Sequence, residues 1–201
     1  MAAPGLAGEK LAVNIARGMG SVEVIHNGKK TTIMRNQDQK NTVIPAFAKT
    51  SRKCPPFCIQ PSRLAPGVET IGELEVIDYL VKMSAGDDSI LVIDSRTPDW
   101  AKQGTIPGAV NIPWTALNPA RGADPISIGE IMTGQFGVKD LEGLWDYSGA
   151  RTLVLFCNGM WCGQSPSNIR TLLKFGYPAH KLKWYRGGMQ DWEILGLSTA
   201  R

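Results

Sequence analysis

The chain has 201 residues, 43% hydrophobic and 20% charged, with Lys+Arg 22 against Asp+Glu 18, a net charge of +4 and 2 His. These proportions are those of ordinary globular chains and exclude collagen-like, coiled-coil or wholly disordered organisation. The length suits one domain with an extension, or two small domains. No apolar run approaches the ~20 residues that span a bilayer, so no transmembrane segment is expected. The positive charges form no basic run, so nucleic acid is not implied, and two His leave little for a histidine-based metal site. Four Cys are too few for a disulfide scaffold. An even count without a leftover thiol suits an oxidising compartment such as a bacterial periplasm.

The opening MAAPGLAG lacks the charged start and apolar h-region of a signal peptide. It reads as an ordinary frayed terminus, with the remnant of a cleaved signal as the alternative. Ser21 to Asn36 carry β-branched residues on either side of Asn27-Gly28, the strongest short-range hairpin signal, so two strands joined by a tight turn are expected. His26, just before that turn, reads as a solvated turn residue. Ala46 to Gly67 holds Pro55, Pro56, Pro61 and Pro66 with little periodicity, an extended linker that also carries Cys54 and Cys58.

From Thr70 to Met83, Ile71, Leu74, Ile77 and Leu80 or Val81 recur at helical spacing, with Thr70 and Glu73 as a capping box. Ser89 to Asp94 and residues 151–157 are continuous apolar runs, the pattern of strands buried on both faces. A helix is expected from about Ser165 to Phe175, closed by Gly176. Buried strands alternating with helices define an α/β fold with a central, mainly parallel sheet flanked by helices, carrying an N-terminal β-hairpin extension. The expected division is 1–65 for the extension and linker and 66–201 for the α/β domain. The long insert between Trp114 and Arg151 is expected to form short helices at 127–132 and 138–147 that cover the site.

In open parallel sheets, ligands bind beyond the carboxyl ends of the strands, and Asp94 and Cys157 fall at two such ends. A cysteine there, followed by a Gly-bearing turn into a helix, meets inward-pointing amides and the positive end of the helix. Both favour a nucleophilic thiolate; the alternative is a small buried hydrophobe.

The segment from about Pro66 to Leu197 resembles a rhodanese-like (sulfurtransferase) domain. Three signatures occur in order: VIDSRTPDWAKQGTIPGAVNIPW at 92–114, LVLFC with its loop and helix ending at KFGY, and LKWYRGGMQDWEILGL at 182–197. The resemblance implies that Cys157 carries sulfane sulfur as a persulfide, taken from thiosulfate, polysulfide or a protein persulfide and passed to a thiol or protein acceptor. It requires no metal or organic cofactor. The loop residues Asn158, Gly159, Met160, Trp161, Gly163 and Gln164 become the expected substrate-binding set, their amides stabilising the persulfide. Asp94 and Arg96 take a structural role tying down loops, Gly187 and Gly188 permit close backbone packing, and Trp192 fills core.

The departures are informative. The family often carries a cation in this loop, and residues 158–164 contain no Arg or Lys, which leaves a thiosulfate dianion only backbone dipoles. The Cys-x5-Arg clamp of phosphatase relatives is absent, since position 163 is Gly. Thr105 stands where the family usually has His, outside the chemistry. Cys162, inside the loop, is a resolving thiol, a protective disulfide partner or an inert buried thiol. Cys54 and Cys58 form a local disulfide, a second redox pair, or, with Cys157 and Cys162, a four-thiolate metal site. The rival to a sulfurtransferase is a catalytically silent binding or thiol–disulfide redox module that holds a partner on the Trp161 surface.

Overall fold

A computed structural model describes residues 11–201; the MAAPGLAG opening lies outside the described residues. Strands β1 (Ser21–His26) and β2 (Lys29–Met34) pair antiparallel from Ser21↔Met34 to His26↔Lys29. Asn27 and Gly28 both take positive φ (50° and 75°), as the two-residue hairpin turn requires. A short helix α1 (Pro45–Ala48) interrupts the otherwise irregular linker. The chain then runs through β3 (Glu69–Ile71), α2 (Glu73–Ser84), β4 (Ile90–Asp94), α3 (Pro98–Gln103), β5 (Val110–Asn111), α4 (Pro125–Gln135), β6 (Lys139–Leu141), β7 (Leu144–Asp146), β8 (Thr152–Phe156), α5 (Gln164–Lys174), β9 (Leu182–Tyr185) and α6 (Gly188–Ile194).

Five strands form one sheet in the order β3-β9-β8-β4-β5, with every neighbouring pair parallel. Successive residues of β4 and β8 alternate between two cores, as a pleated strand buried on both faces must. Leu91, Ile93, Leu153, Leu155, Leu182 and Trp184 pack on one side with Ile169 and Leu172 of α5 and Ile128 and Met132 of α4. Val92, Val154, Phe156 and Tyr185 pack on the other with Val76, Ile77 and Leu80 of α2 and Met189 and Trp192 of α6. The second core also takes Val24 and Ile33 of the hairpin, 1% and 0% exposed. The N-terminal hairpin therefore completes the cover on that face.

Several local expectations differ from the structure. The N-cap of α2 is Gly72 rather than Thr70, and only one half of a capping box forms: the Glu75 carboxylate accepts from the Gly72 amide at 3.0 Å. Thr70 instead belongs to β3, and its hydroxyl donates to the Ser62 carbonyl. The start lies two residues later than expected, and Val76, Ile77 and Leu80 face inward while Leu74 and Val81 are exposed. Residues 138–147 form the β6–β7 hairpin, not a helix. Glu142 and Gly143 both take positive φ (54° and 88°), and the Gly143 amide donates to Asp140 Oδ1 at 2.8 Å. That turn overrides any helical spacing. His26 is half-buried rather than a solvated turn residue; its Nδ1 accepts from the Gly108 amide at 3.0 Å and pins the hairpin, and partial burial lowers its pKa.

Asp94 and Arg96 form a buried bidentate pair: Nε to Oδ1 at 2.9 Å and Nη2 to Oδ2 at 2.6 Å. Arg96 also donates to the Gly104 carbonyl, and Thr105 donates to Asp94 Oδ2 at 2.7 Å. Thr105 thus fills the carboxylate's remaining acceptor site and closes a network beneath the loop after β4. Cutting one partner leaves an uncompensated buried charge. Arg96→Met is expected to lower unfolding free energy by about 3–5 kcal/mol in urea denaturation. Ile33→Ala is expected to cost about 2–5 kcal/mol in the same measurement. A loss under ~0.5 kcal/mol, the scale of surface substitutions, would show instead that the hairpin is not part of the cooperative core.

Candidate active site

β8 ends at Phe156, and Cys157 is the first residue past it, at the carboxyl edge of the sheet. The chain then curls through Asn158 to Gly163 and enters α5 at Gln164, with Gly163 as N-cap. The Cys162 amide donates to the Gly159 carbonyl at 2.8 Å, which closes the loop on itself. Two amides at the start of α6 tie it from the side: Met189 donates to the Cys157 carbonyl at 2.9 Å and Gln190 to the Asn158 carbonyl at 3.0 Å. This approach requires Gly188, whose φ is +57°. A Cβ there would collide with the Cys157 carbonyl oxygen and sit 2.9 Å from the Gly159 nitrogen. Gly187 is held for a related reason, because a Cβ there would meet the Asp191 side chain.

Cys157 and Cys162 are both unbonded thiols, 2% and 4% exposed. The Ser165 hydroxyl donates to Cys157 Sγ at 3.1 Å. The Trp184 indole N–H donates to the same Ser165 oxygen at 3.2 Å, occupying its acceptor side and turning the hydroxyl proton toward sulfur. Burial alone would push the Cys157 thiol up. Hydrogen bonds from the Cys162 thiol, the Ser165 hydroxyl and the Ser165 and Gly159 amides outweigh it and bring the pKa down to about 7. The Cys162 thiol is pushed up, first by the hydrogen bond it gives Cys157, then by burial and the adjacent charge. The amides facing Cys157 are thus those of Gly159 and Ser165, while those of Asn158 and Gln164 act on Cys162. Sequence reasoning gave Ser165 and Trp184 no role. The signal available for Ser165 was its place in the first turn of the helix after the loop.

A cleft of about 460 Å³ opens over the loop. Of the expected binding residues, Asn158, Trp161, Gly163 and Gln164 line it, and Gly159 and Met160 do not; of the two expected catalytic cysteines, Cys162 lines it and Cys157 does not. The Met160 carbonyl instead accepts from the Gln60 amide at 2.8 Å, joining linker to loop. Asp94 and Arg96 also lie off the cleft wall.

The cleft's other walls come from elsewhere in the chain. Arg52, Pro56 and Phe57 belong to the linker, where Cys54 and Cys58 are joined in a disulfide. Phe57 meets Trp161 edge-on, with ring centroids 5.5 Å apart, and the Arg52 guanidinium lies 3.8 Å over the Trp161 ring. Arg121, which also lines the cleft, lies 5.1 Å over Trp114. The expectation that a bound dianion would meet only backbone dipoles is therefore corrected: two guanidinium groups line the wall, supplied by the linker and by the insert. Of that insert, only the segment around Arg121 lines the cleft; α4 packs into the core instead of covering the site. Among the described residues, no three His, Cys, Asp or Glu come together in a way that could hold a metal ion.

The chain belongs to the rhodanese-like domain family, whose pattern it matches over residues 76–195. It is 25% identical over 120 residues to the HTH-type transcriptional regulator Rv0324 of Mycobacterium tuberculosis, a match covering 60% of this chain and 41% of that protein. The chain thus spans about two fifths of that curated relative. Among solved structures, the human single-domain sulfurtransferase TSTD1 is 21% identical, with 62% of this chain and 95% of that one covered and a TM-score of 0.40. The single-domain sulfurtransferase RDL2 of Saccharomyces cerevisiae is 15% identical, with 62% and 88% covered and a TM-score of 0.40.

The hydrogen bonds to Cys157 predict its titration. Thiolate absorbance of wild type minus Cys157→Ser is expected to rise with pH through a midpoint of about 7. Ser165→Ala removes a donor to the anion and should move the midpoint up by roughly one unit, the size of a hydrogen bond to a charged group. An unchanged midpoint would show that Ser165 does not stabilise the thiolate.

Proposed function

We propose that this protein is a sulfurtransferase in which Cys157 accepts sulfane sulfur and Cys162 resolves the persulfide. The observation that carries the reading is the buried Cys157 sulfur, brought to a pKa of about 7 by donors that include the Cys162 thiol. A thiolate is the nucleophile in sulfur transfer, and near pH 7 about half of this one would be ionised.

In the first step the Cys157 thiolate attacks the outer sulfur of the donor. A sulfur–sulfur bond forms to Cys157, and the donor's own bond to that sulfur breaks, its electron pair leaving with the remainder. The donors around Cys157 Sγ are placed to hold the persulfide anion as they hold the thiolate. The persulfide then has two exits. An external thiol can take the outer sulfur directly. Alternatively, deprotonated Cys162 attacks the inner sulfur, a Cys157–Cys162 disulfide forms, and the outer sulfur leaves as hydrosulfide. An external dithiol must reduce that disulfide before the next cycle.

A second reading, a thiol–disulfide redox module, is favoured by one observation: Cys162, not Cys157, lines the cleft. There Cys162 would meet the partner's disulfide first, and no sulfane sulfur would be carried.

Both readings meet in one experiment. Protein reduced under mild conditions is exposed to polysulfide, and its intact mass is followed for wild type, Cys157→Ser and Cys162→Ser. A gain of ~32 Da, one persulfide sulfur, is expected in wild type and Cys162→Ser and not in Cys157→Ser. The adduct should persist in Cys162→Ser and decay in wild type as the loop disulfide forms. Disulfide formation without any sulfur adduct would replace the sulfurtransferase reading with the redox module.

A further inference from the structure

The loop disulfide that resolution would leave behind is poorly placed for the reductant it needs. Cys157 and Cys162 are 2% and 4% exposed, and of the two only Cys162 lines the cleft. A thiolate must reach one sulfur of a disulfide to displace the other, so an external dithiol meets little of this pair. The protein holds a second cysteine pair with the opposite exposure. Cys54 is exposed and Cys58 half-buried, in a turn whose Lys53, Pro55, Pro56 and Phe57 are exposed as well.

That turn lies against the loop. Phe57, next to Cys58 in the chain, meets the ring of Trp161, next to Cys162, edge-on at 5.5 Å. Pro56, Phe57 and Cys162 line the same cleft. Two residues beyond Cys58, the Gln60 amide donates to the Met160 carbonyl at 2.8 Å. The Gln60 side chain turns back, its Nε2 donating to the Cys58 carbonyl at 3.0 Å, and the same nitrogen stands 3.9 Å from where a Cβ on Gly163 would lie. Residues 57–60 therefore run beside residues 160–163, with Cys58 and Cys162 inside the two facing segments. The pairs also differ in redox state: Cys54 and Cys58 are joined, whereas Cys157 and Cys162 are free thiols.

We propose that Cys54 and Cys58 are a second redox-active pair, which takes electrons from an external dithiol and passes them to the Cys157–Cys162 disulfide. This rests on the reading in which Cys162 resolves the persulfide. The external dithiol first reduces Cys54–Cys58 to two thiols and is itself oxidised to its disulfide. Cys58, as thiolate, then attacks the Cys162 sulfur; a Cys58–Cys162 bond forms and Cys157 leaves as thiolate. The Cys54 thiol gives up its proton and attacks the Cys58 sulfur. The Cys54–Cys58 bond is restored, and Cys162 leaves and takes up a proton. Two electrons have moved from linker to loop, and charge and protons balance. The state reached, linker disulfide and loop dithiol, is the one in the structure. Two observations favour attack at Cys162. It is the sulfur on the cleft, and Cys157, held at a pKa of about 7, is the better leaving group of the pair. Cys58 also attacks from within the same chain, already beside the loop, an advantage over a dilute external thiol.

The mixed disulfide can be trapped. In Cys54→Ser/Cys157→Ser the remaining cysteines are Cys58 and Cys162. Diamide is expected to join them within one chain, seen as a loss of ~2 Da, the two thiol hydrogens, with the linked peptides identified after digestion. Two free thiols, or disulfides between chains only, overturn the proposal. The order of events is read on wild type. With both pairs oxidised by diamide, dihydrolipoate is added, and new thiols are alkylated at intervals and located by peptide mass. Linker thiols are expected first and loop thiols after a lag; loop thiols appearing first overturn the relay. In Cys54→Ser/Cys58→Ser, its fold checked by circular dichroism, reduction of the loop disulfide should slow by about ten-fold, the loss of an intramolecular attack; an unchanged rate overturns the relay. Polysulfide loading of wild-type Cys157, followed by mass, tests the underlying reading separately. If Cys157 loads but no Cys58–Cys162 bond forms, the relay falls and the sulfur-carrier reading stands. If Cys157 does not load while the mixed disulfide and the lag both appear, the sulfur-carrier reading falls and the relay stands as part of the redox module.

Discussion

The buried sulfur of Cys157, at the carboxyl edge of the sheet, is surrounded by hydrogen-bond donors, and several distant parts of the chain meet around it. Desolvation opposes the charged form of any buried thiol. Around Cys157 it is offset by hydrogen bonds alone: from the Cys162 thiol, the Ser165 hydroxyl and two backbone amides. Such donors are effective only if held in place, which ties distant parts of the chain to the loop. Trp184 on β9 fixes the Ser165 hydroxyl. The amides of Met189 and Gln190, at the start of α6, fix the carbonyls of Cys157 and Asn158. Gly188 is the point where the two backbones touch, and no side chain fits between them.

The same demand explains the paired cysteine. A thiol donating to a thiolate stabilises that neighbour and is itself made harder to ionise, so the two sulfurs move apart in pKa while sharing a proton. Cys157 becomes the group that ionises first, and Cys162 the group that holds its proton until charge leaves Cys157. In the proposed reaction, conversion of the thiolate to a persulfide would move negative charge to the outer sulfur and weaken the restraint on Cys162. The pair thus contains its own order of events, set by proximity and not by a change of fold.

What the sequence made legible follows from how local each determinant is. The parallel sheet was visible because Ile90 to Asp94 and Thr152 to Phe156 are apolar on both faces, a pattern that only double burial explains. The first hairpin was visible because Asn27-Gly28 names its own turn. The β6–β7 hairpin was not, because Glu142 takes a left-handed conformation that its side chain does not announce. The place of Cys157 past a strand end and before a Gly-bearing turn into a helix was legible in the sequence. Ser165 was hidden because a serine in the first helical turn has many uses, and its role depends on Trp184, reached only across the sheet. The two arginines of the cleft were hidden for the same reason. Arg52 lies more than 100 positions before Cys157, and only the folded linker brings it over Trp161.

That linker divides the site into two layers with different origins. The segment matching the rhodanese-like family begins at residue 76 and contains the cysteine pair, Ser165, Trp184 and Gly188. Arg52 and Phe57 precede it. They reach the site because the Gln60 amide binds the Met160 carbonyl and Arg186 holds the Gln60 carbonyl at 2.8 Å, while the Cys54–Cys58 disulfide closes the turn between them. Every donor to Cys157 belongs to the inner layer. The outer layer touches neither sulfur of the pair by hydrogen bond and contributes charge and apolar surface. The two layers nevertheless share the cleft, since Asn158, Trp161, Gly163 and Gln164 of the loop line it beside Arg52 and Phe57. Trp114 and Arg121, inside the matched segment, line it too, so the cleft wall is assembled from both sides of residue 76.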